Sequence, residues 1–221
     1  MAISTFTELK TAVDNWLART DLAGRAPEFI ALAEARMNRE IETRSQETRI
    51  TSTLTAGDEY VSLPNDVRRI RHVRLNTSPI TNLSFMTPLA IDRAHSATGQ
   101  AKPLNYSVIG TEIYFRPIPD DAYTAEIAYV ASIEPLSGSV ATNNILLRHP
   151  DIYLHGALAE AFGFLMDPQR RAQHDALFLQ GLKDIQDDED RARFAGGPLS
   201  LTTDRAPQTH LASRTLPSVL T

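Results

Sequence analysis

The sequence predicts an α+β fold. In it a helical bundle built from the N- and C-terminal helices carries an inserted antiparallel β-rich domain and ends in an extended C-terminal tail. Three observations predict it: apolar residues recur at helical spacing in residues 5–41 and 150–185, alternate with period two in between, and lose all period beyond Gly196-Gly197-Pro198. The expected organisation is 1–46 with 145–194 as a discontinuous helical bundle, 47–144 as the inserted β-domain and 195–221 as a C-terminal arm.

The first helix is announced by Thr5 and Glu8, spaced as a capping box in which each side chain satisfies a free N–H of the first turn. Leu9, Val13, Trp16 and Leu17 then make its apolar stripe, and the helix should end between Asp21 and Gly24. A second helix opens with Pro27, where no N–H partner is lost. Ile30, Ala33, Met37 and Ile41 form its inner face, and Glu34, Arg36, Arg39, Glu40, Glu42 and Arg44 its charged one.

From about residue 48 the period becomes two. Residues 49–55 and 60–63 flank Ala56-Gly57-Asp58-Glu59, a loop of hairpin length. Residues 67–75 read as a strand whose arginines fall on both faces of the pleat, which fits a sheet edge or an interface. Thr87-Pro88 starts a short helix. Gly110-Thr111 is a two-residue turn joining strands 106–109 and 112–116. Tyr123, Ala125, Ile127 and Tyr129 alternate with Thr124, Glu126 and Ala128, the cleanest strand pattern in the chain.

Helices resume after a loop at 135–144. Residues 150–166 are apolar nearly all round and must be covered on most sides. Asp167-Pro168 caps a last helix whose stripe is Phe178, Leu179, Leu182 and Ile185, stopping before Asp187-Asp188-Glu189-Asp190. The arm is polar and aperiodic, a composition that does not fold alone and is most easily ordered by docking on something else.

Composition excludes several functions. At 221 residues and 42% hydrophobic content the chain can bury a real core. A net charge of −5 and a pI near 5.7 argue against wholesale wrapping of nucleic acid. Cysteine is absent, so disulfides and thiolate metal sites cannot form. The start lacks the basic and apolar regions of a signal peptide, and no run suits a membrane helix, so neither secretion nor membrane insertion is expected.

Candidate chemistry is thin. His149, Asp151, His155 and Glu160 bring metal ligands to mind, but Glu160 lies five residues past His155 and turns elsewhere; a helix start is the better account. Asp187 to Asp190 point in different directions along a helix and suit a solvated end balanced by Arg191 and Arg193. There is no nucleophile elbow and no glycine-rich phosphate loop, so no catalytic residue, metal or cofactor is assigned. Arg68, Arg69, Arg71 and Arg74, with His72, form the densest basic patch. Without aromatic platforms beside them they suit a subunit interface, or a DNA-facing surface with phosphate contacts as the alternative.

Five segments together resemble phage head-to-tail adaptor (connector) proteins, the family that includes tail tubular protein A of short-tailed phages. They are T-F-T-E-L-K-x-A-V-x-x-W-L-x-R, P-E-F-I-A-L-A-E-A-R-M-N-R-E-I, L-x-A-G-x-E-Y-V-x-L-P-N-D, H-P-D-I-Y-L-H-G-A-L-A-E-A and D-E-D-R-A-R-F-A-G-G. The resemblance implies a structural virion protein, without enzymatic activity, assembled in the host cytoplasm and placed at the head-tail junction. It implies a ring of about twelve copies between the portal protein and a downstream tail or nozzle protein, with a channel through which DNA passes unread. It also implies that the arm reaches the portal or a neighbour, making Phe194, Pro198, Leu199, Leu201, Arg205, Leu211, Arg214 and Leu216 candidate contacts.

Overall fold

The computed structural model describes residues 3–194 apart from positions 20, 23 and 96–98. The capping box forms as its spacing implies: at the start of α1 (Phe6–Leu17) the Glu8 N–H donates to Thr5 Oγ1 at 3.3 Å and the Thr5 N–H to the Glu8 carboxylate at 3.0 Å. Phe6, Leu9, Val13 and Leu17 are buried, but Trp16 is 56% exposed rather than part of the core. In α2 (Ala26–Glu40) the inner face is buried from Ile30 to Met37, and Ile41 follows it in. Glu34, expected on the charged face, is buried as well. Its spacing carried that signal, since it stands four residues after Ile30 and three before Met37.

Seven strands follow: β1 (Glu47–Leu54), β2 (Tyr60–Ser62), β3 (Val67–Leu75), β4 (Thr81–Phe85), β5 (Asn105–Ile109), β6 (Glu112–Arg116) and β7 (Tyr123–Ala131). They form one sheet in the order β1-β7-β3-β4-β5-β6-β2. The Gly110 turn joins β5 to β6 as an antiparallel pair, with Gly110 at a φ of 61° that suits glycine. β7 lies between β1 and β3, pairing antiparallel with both.

Three expectations fail here. First, 49–55 and 60–63 are not a hairpin: β1 pairs with β7 and β2 with β6, at opposite edges of the sheet. Only residues 55–59 join these edges, a span of at most ~20 Å. The sheet therefore curls until it is nearly closed. Second, β3 is internal rather than an edge. Register shifts between Val67 and Arg69 and between Ile70 and His72 each insert one extra residue. The inward set becomes Val67, Ile70, Val73 and Leu75, all packed on the sheet core, while strict alternation would have scattered it. Third, the sheet is mixed, because β4 and β5 run parallel. Parallel neighbours need a crossover, and α3 (Pro88–Ala94) supplies it, packing on β5 with Ile91 fully buried.

The fold is thus α+β, but not a helical bundle with an inserted antiparallel β-domain. It combines a nearly closed seven-stranded mixed sheet with six α-helices among the described residues, one of which belongs to the sheet. A short α4 (Asn144–Arg148), capped by the Asn143 side chain, takes up the end of the predicted loop. Beyond it lie α5 (Pro150–Phe164) and α6 (Pro168–Phe194). Asp167 caps α6 through the Arg170 N–H at 3.1 Å, and the helix runs on through the acidic 187–190 stretch. Of the expected α6 stripe, Phe178, Leu182 and Ile185 are buried and Leu179 is exposed.

Two separate apolar clusters result. One gathers α1, α2, α4, α5 and α6 with Ile133 and Leu136; the other fills the curled sheet around Leu54, Val73, Leu75, Phe115 and Ile127. In the first, α5 is the central helix, and it meets α6 at very short range. A Cβ on Gly156 would come within 2.8 Å of the Phe178 ring, and one on Gly181 within 2.7 Å of the Ile152 side chain.

Candidate functional site: the arginine strand and its anchors

The bulges of β3 turn its arginines outward, and each meets a partner within the chain. Arg69 pairs with Glu42, just past the end of α2. Arg71 reaches Glu42 at 3.5 Å and Glu47 at 3.1 Å. Arg68 donates to the Ile41 carbonyl at 3.1 Å. Arg74 stands opposite Glu126 in the β3/β7 register and bonds it at 2.7 Å, with Arg49 3.7 Å from the same carboxylate. Hydrogen bonding to Arg74 is the main reason the Glu126 carboxyl is held below the usual range.

This patch is a seam. Arg68, Arg69 and Arg71 tie the sheet to the chain leaving α2, and Arg44 extends the tie to α6 by bonding Glu189 through its guanidinium at 3.0 Å and its backbone N–H at 2.9 Å. Gln186 accepts from the Glu42 N–H at 3.4 Å. On the return crossing the ties are polar again: Asn38 accepts from the Ile133 N–H at 2.8 Å, and Glu34 from the Leu136 N–H at 2.9 Å. A phosphate at Arg69, Arg71 or Arg74 would compete with a carboxylate already in place. Arg44, Arg49, Arg71 and His72 nonetheless line a cleft of about 270 Å³. A larger cleft of about 710 Å³ runs along the other side of the junction, past Gln46, Asp66, Glu134 and Asn143.

The remaining candidates are drawn apart. Glu160 bonds Arg36 at 2.9 Å, while His155 turns to His174, so the two do not converge. Among the described residues no three of His, Asp, Glu and Cys are grouped to hold a metal. In the acidic run, Asp188 bonds Arg191 at 2.7 Å, Glu189 bonds Arg44, and Asp190 accepts from Gln186 at 3.1 Å. Phe194 closes α6, and Pro198, Leu199, Leu201, Arg205, Leu211, Arg214 and Leu216 lie outside the described residues.

Sequence reasoning missed a buried polar knot. Glu34 accepts from the Tyr153 hydroxyl at 3.1 Å, and that oxygen accepts from Asn143 Nδ2 at 2.6 Å. Burial pushes the Glu34 carboxyl up; burial and the adjacent Glu34 push the Tyr153 phenol up. The knot fastens the loop after β7 to α2 and α5. In the knot each of these polar groups faces a structural partner.

No curated protein matches the chain closely enough to count as a relative. A family model described as SU10 adaptor protein matches residues 4–202, nearly the whole chain. The chain belongs to the SU10 adaptor protein family. As an SU10 adaptor protein it has a structural phage-adaptor role, which implies no enzymatic activity and fits a site made of ties between layers. No helix among the described residues of this adaptor is long and apolar enough to cross a membrane.

Proposed function

We propose that this chain is one subunit of a ring that joins the portal protein to a downstream tail or nozzle protein at the head-tail junction, leaving a central channel for DNA. The observation that carries the reading is the adaptor-family match across residues 4–202. A closed ring of identical subunits, about twelve by resemblance, is the natural way for one chain to surround an axial channel. Kinship with the tail tubular proteins of short-tailed phages and assembly in the host cytoplasm belong to the same proposal.

Electrostatics support a conduit rather than a DNA-binding module. The net charge is −5, and the densest basic patch is spent on Glu42, Glu47 and Glu126. Duplex DNA passing such a surface releases few counterions and is not retained. Portal contact is assigned to the arm, with Phe194, Pro198, Leu199, Leu201, Arg205, Leu211, Arg214 and Leu216 as contact residues. Arg68, Arg69, Arg71 and Arg74 sit beside the subunit boundary.

Negative-stain microscopy of the purified chain, with and without a portal ring, tests the proposal. A collar of added density on the portal is expected, lost when 195–221 are removed. A chain that leaves the portal bare would overturn it.

A further inference from the structure

Facing one another across α5 and α6, His155 Nδ1 and His174 Nδ1 lie 3.1 Å apart with ring centroids 5.2 Å apart. The nitrogens therefore sit almost on the line between the centroids. Lone pairs in that arrangement point at each other rather than converging on a third position, so the geometry is that of one in-line N–H···N hydrogen bond and not of a chelate. Aromatic rings flank the part-buried pair. Phe162 of α5 stacks on His174 at 5.4 Å, and Trp16 of α1 stands edge-on to both imidazoles at 5.9 and 6.1 Å.

We propose that His155 and His174 form a one-proton latch between α5 and α6, which accepts one added proton while the helices stay packed and is opened by a second. In the neutral pair one ring donates Nδ1–H to the bare Nδ1 of the other. The donor's Nε2 is its free lone pair, so the first added proton goes there, makes the donor an imidazolium and strengthens the bond. The second can only go to the acceptor's Nδ1. It replaces the acceptor lone pair with an N–H, removes the hydrogen bond and sets two positive charges across the seam.

The charged neighbours do not change that order. Asp151 of α5 is the carboxylate that favours charge on His155. Asp175, next to His174, is turned to Arg36 of α2 at 2.6 Å, and Arg36 takes Glu160 of α5 at 2.9 Å. Arg170 of α6 lies over the Phe162 ring at 5.5 Å and adds positive charge. From α1 the facing group is Trp16, which is uncharged. Burial lowers both imidazole pKa values, and at His174 the neighbouring His155 lowers it further. Stability from the latch is therefore full above the ordinary histidine pKa of about 6.5 and falls as the pH drops below it, because the unfolded chain takes two protons where the closed pair holds one.

Trp16 is the only tryptophan in the chain and reports on the latch directly. An imidazolium at ring-contact distance quenches indole emission. Fluorescence of the full-length protein is followed from pH 8 to 4 for the wild type, His155→Gln and His174→Gln, with far-UV circular dichroism to show that each is folded. The expected result is two-step quenching in the wild type, its second midpoint below the ordinary histidine range, reduced to one step in each variant. Identical curves in all three proteins would overturn the latch. Should a variant fail to fold, the wild type alone decides: one step at an ordinary histidine pH overturns the proposal, and two steps support it.

Discussion

The helical and the sheet cores bury similar kinds of side chain and are specified in different ways. Around α5 the contacts are set by spacing along each helix: Leu9, Val13 and Leu17 on α1, Ile30, Ala33 and Met37 on α2, Phe178, Leu182 and Ile185 on α6. In the curled sheet they depend on features that only pairing creates. Two register shifts bring Val67, Ile70 and Val73 to the same side, a crossover makes β4 and β5 parallel, and a short connection carries the chain from one sheet edge to the other. Between the cores run mainly polar and ionic ties. Local periodicity therefore specifies the first core nearly alone, while the second needs the whole sheet to be in register.

Removing one large side chain from each core shows whether the other core responds. Phe178→Ala should have the largest effect, about 3–5 kcal/mol, because the ring is fully buried and fills the space above Gly156. Ile127→Ala, in the strand between β1 and β3, should lose about 2–5 kcal/mol. Trp16 and Tyr153 lie in the helical half and Tyr60, Tyr106, Tyr114, Tyr123 and Tyr129 in the sheet, so tryptophan emission reports on the helical core and tyrosine near-UV dichroism, measured in a Tyr153→Phe background, on the sheet. Urea transitions should separate by probe in each variant. Coincident transitions in both would mean that the cores unfold as one unit.

A smaller change sharpens the helical side. Gly156→Ala gains helix propensity of roughly 1 kcal/mol, yet its new methyl meets Phe178 and Ala33 at 3.0 Å or less. A net loss of about 1–2 kcal/mol is expected by thermal melting, since overpacking outweighs propensity.

Glu34→Gln tests the knot that fastens the loop after β7 to α2 and α5. The carboxyl is pushed up by burial, so its ionised form is disfavoured in the folded chain, and stability should decline as pH rises from the unfolded glutamate pKa through the higher folded one. Thermal melts at pH 4.5 and 7 should differ less in the variant, which keeps an acceptor for Leu136 and Tyr153 without the charge. The least effect is expected from Arg71→Gln at the half-exposed seam: below about 1 kcal/mol by urea melts, shrinking further with added salt.

Helices and turns were legible because their signals are local: the Thr5/Glu8 box, the Asp167 cap and the Gly110 turn all form as read. The sheet order was not. Residues 55–59 look like a hairpin loop, and only the pairing of β1 with β7 and of β2 with β6 shows otherwise. Reading the β3 arginines as a two-faced strand was sound arithmetic on the wrong period, because a bulge leaves no mark in composition. Thr87-Pro88 signalled the short helix α3, but not that the helix is the crossover of a parallel pair. As for the candidate site, the basic residues could be found, but their partners at Glu42, Glu47 and Glu126 come from other elements brought close by the fold. His174 carried no sequence signal at all; only the crossing of α5 and α6 sets it against His155.

The arginines of β3 are turned to carboxylates of the same chain, which leaves them poorly placed to hold DNA. Fluorescence anisotropy of a labelled duplex, at roughly 50 mM salt where phosphate contacts are strongest, tests it in one titration with the wild type and the Arg69→Gln/Arg71→Gln/Arg74→Gln variant. No saturable binding is expected from either protein. Saturable, salt-sensitive binding by the wild type that disappears in the folded variant would contradict it.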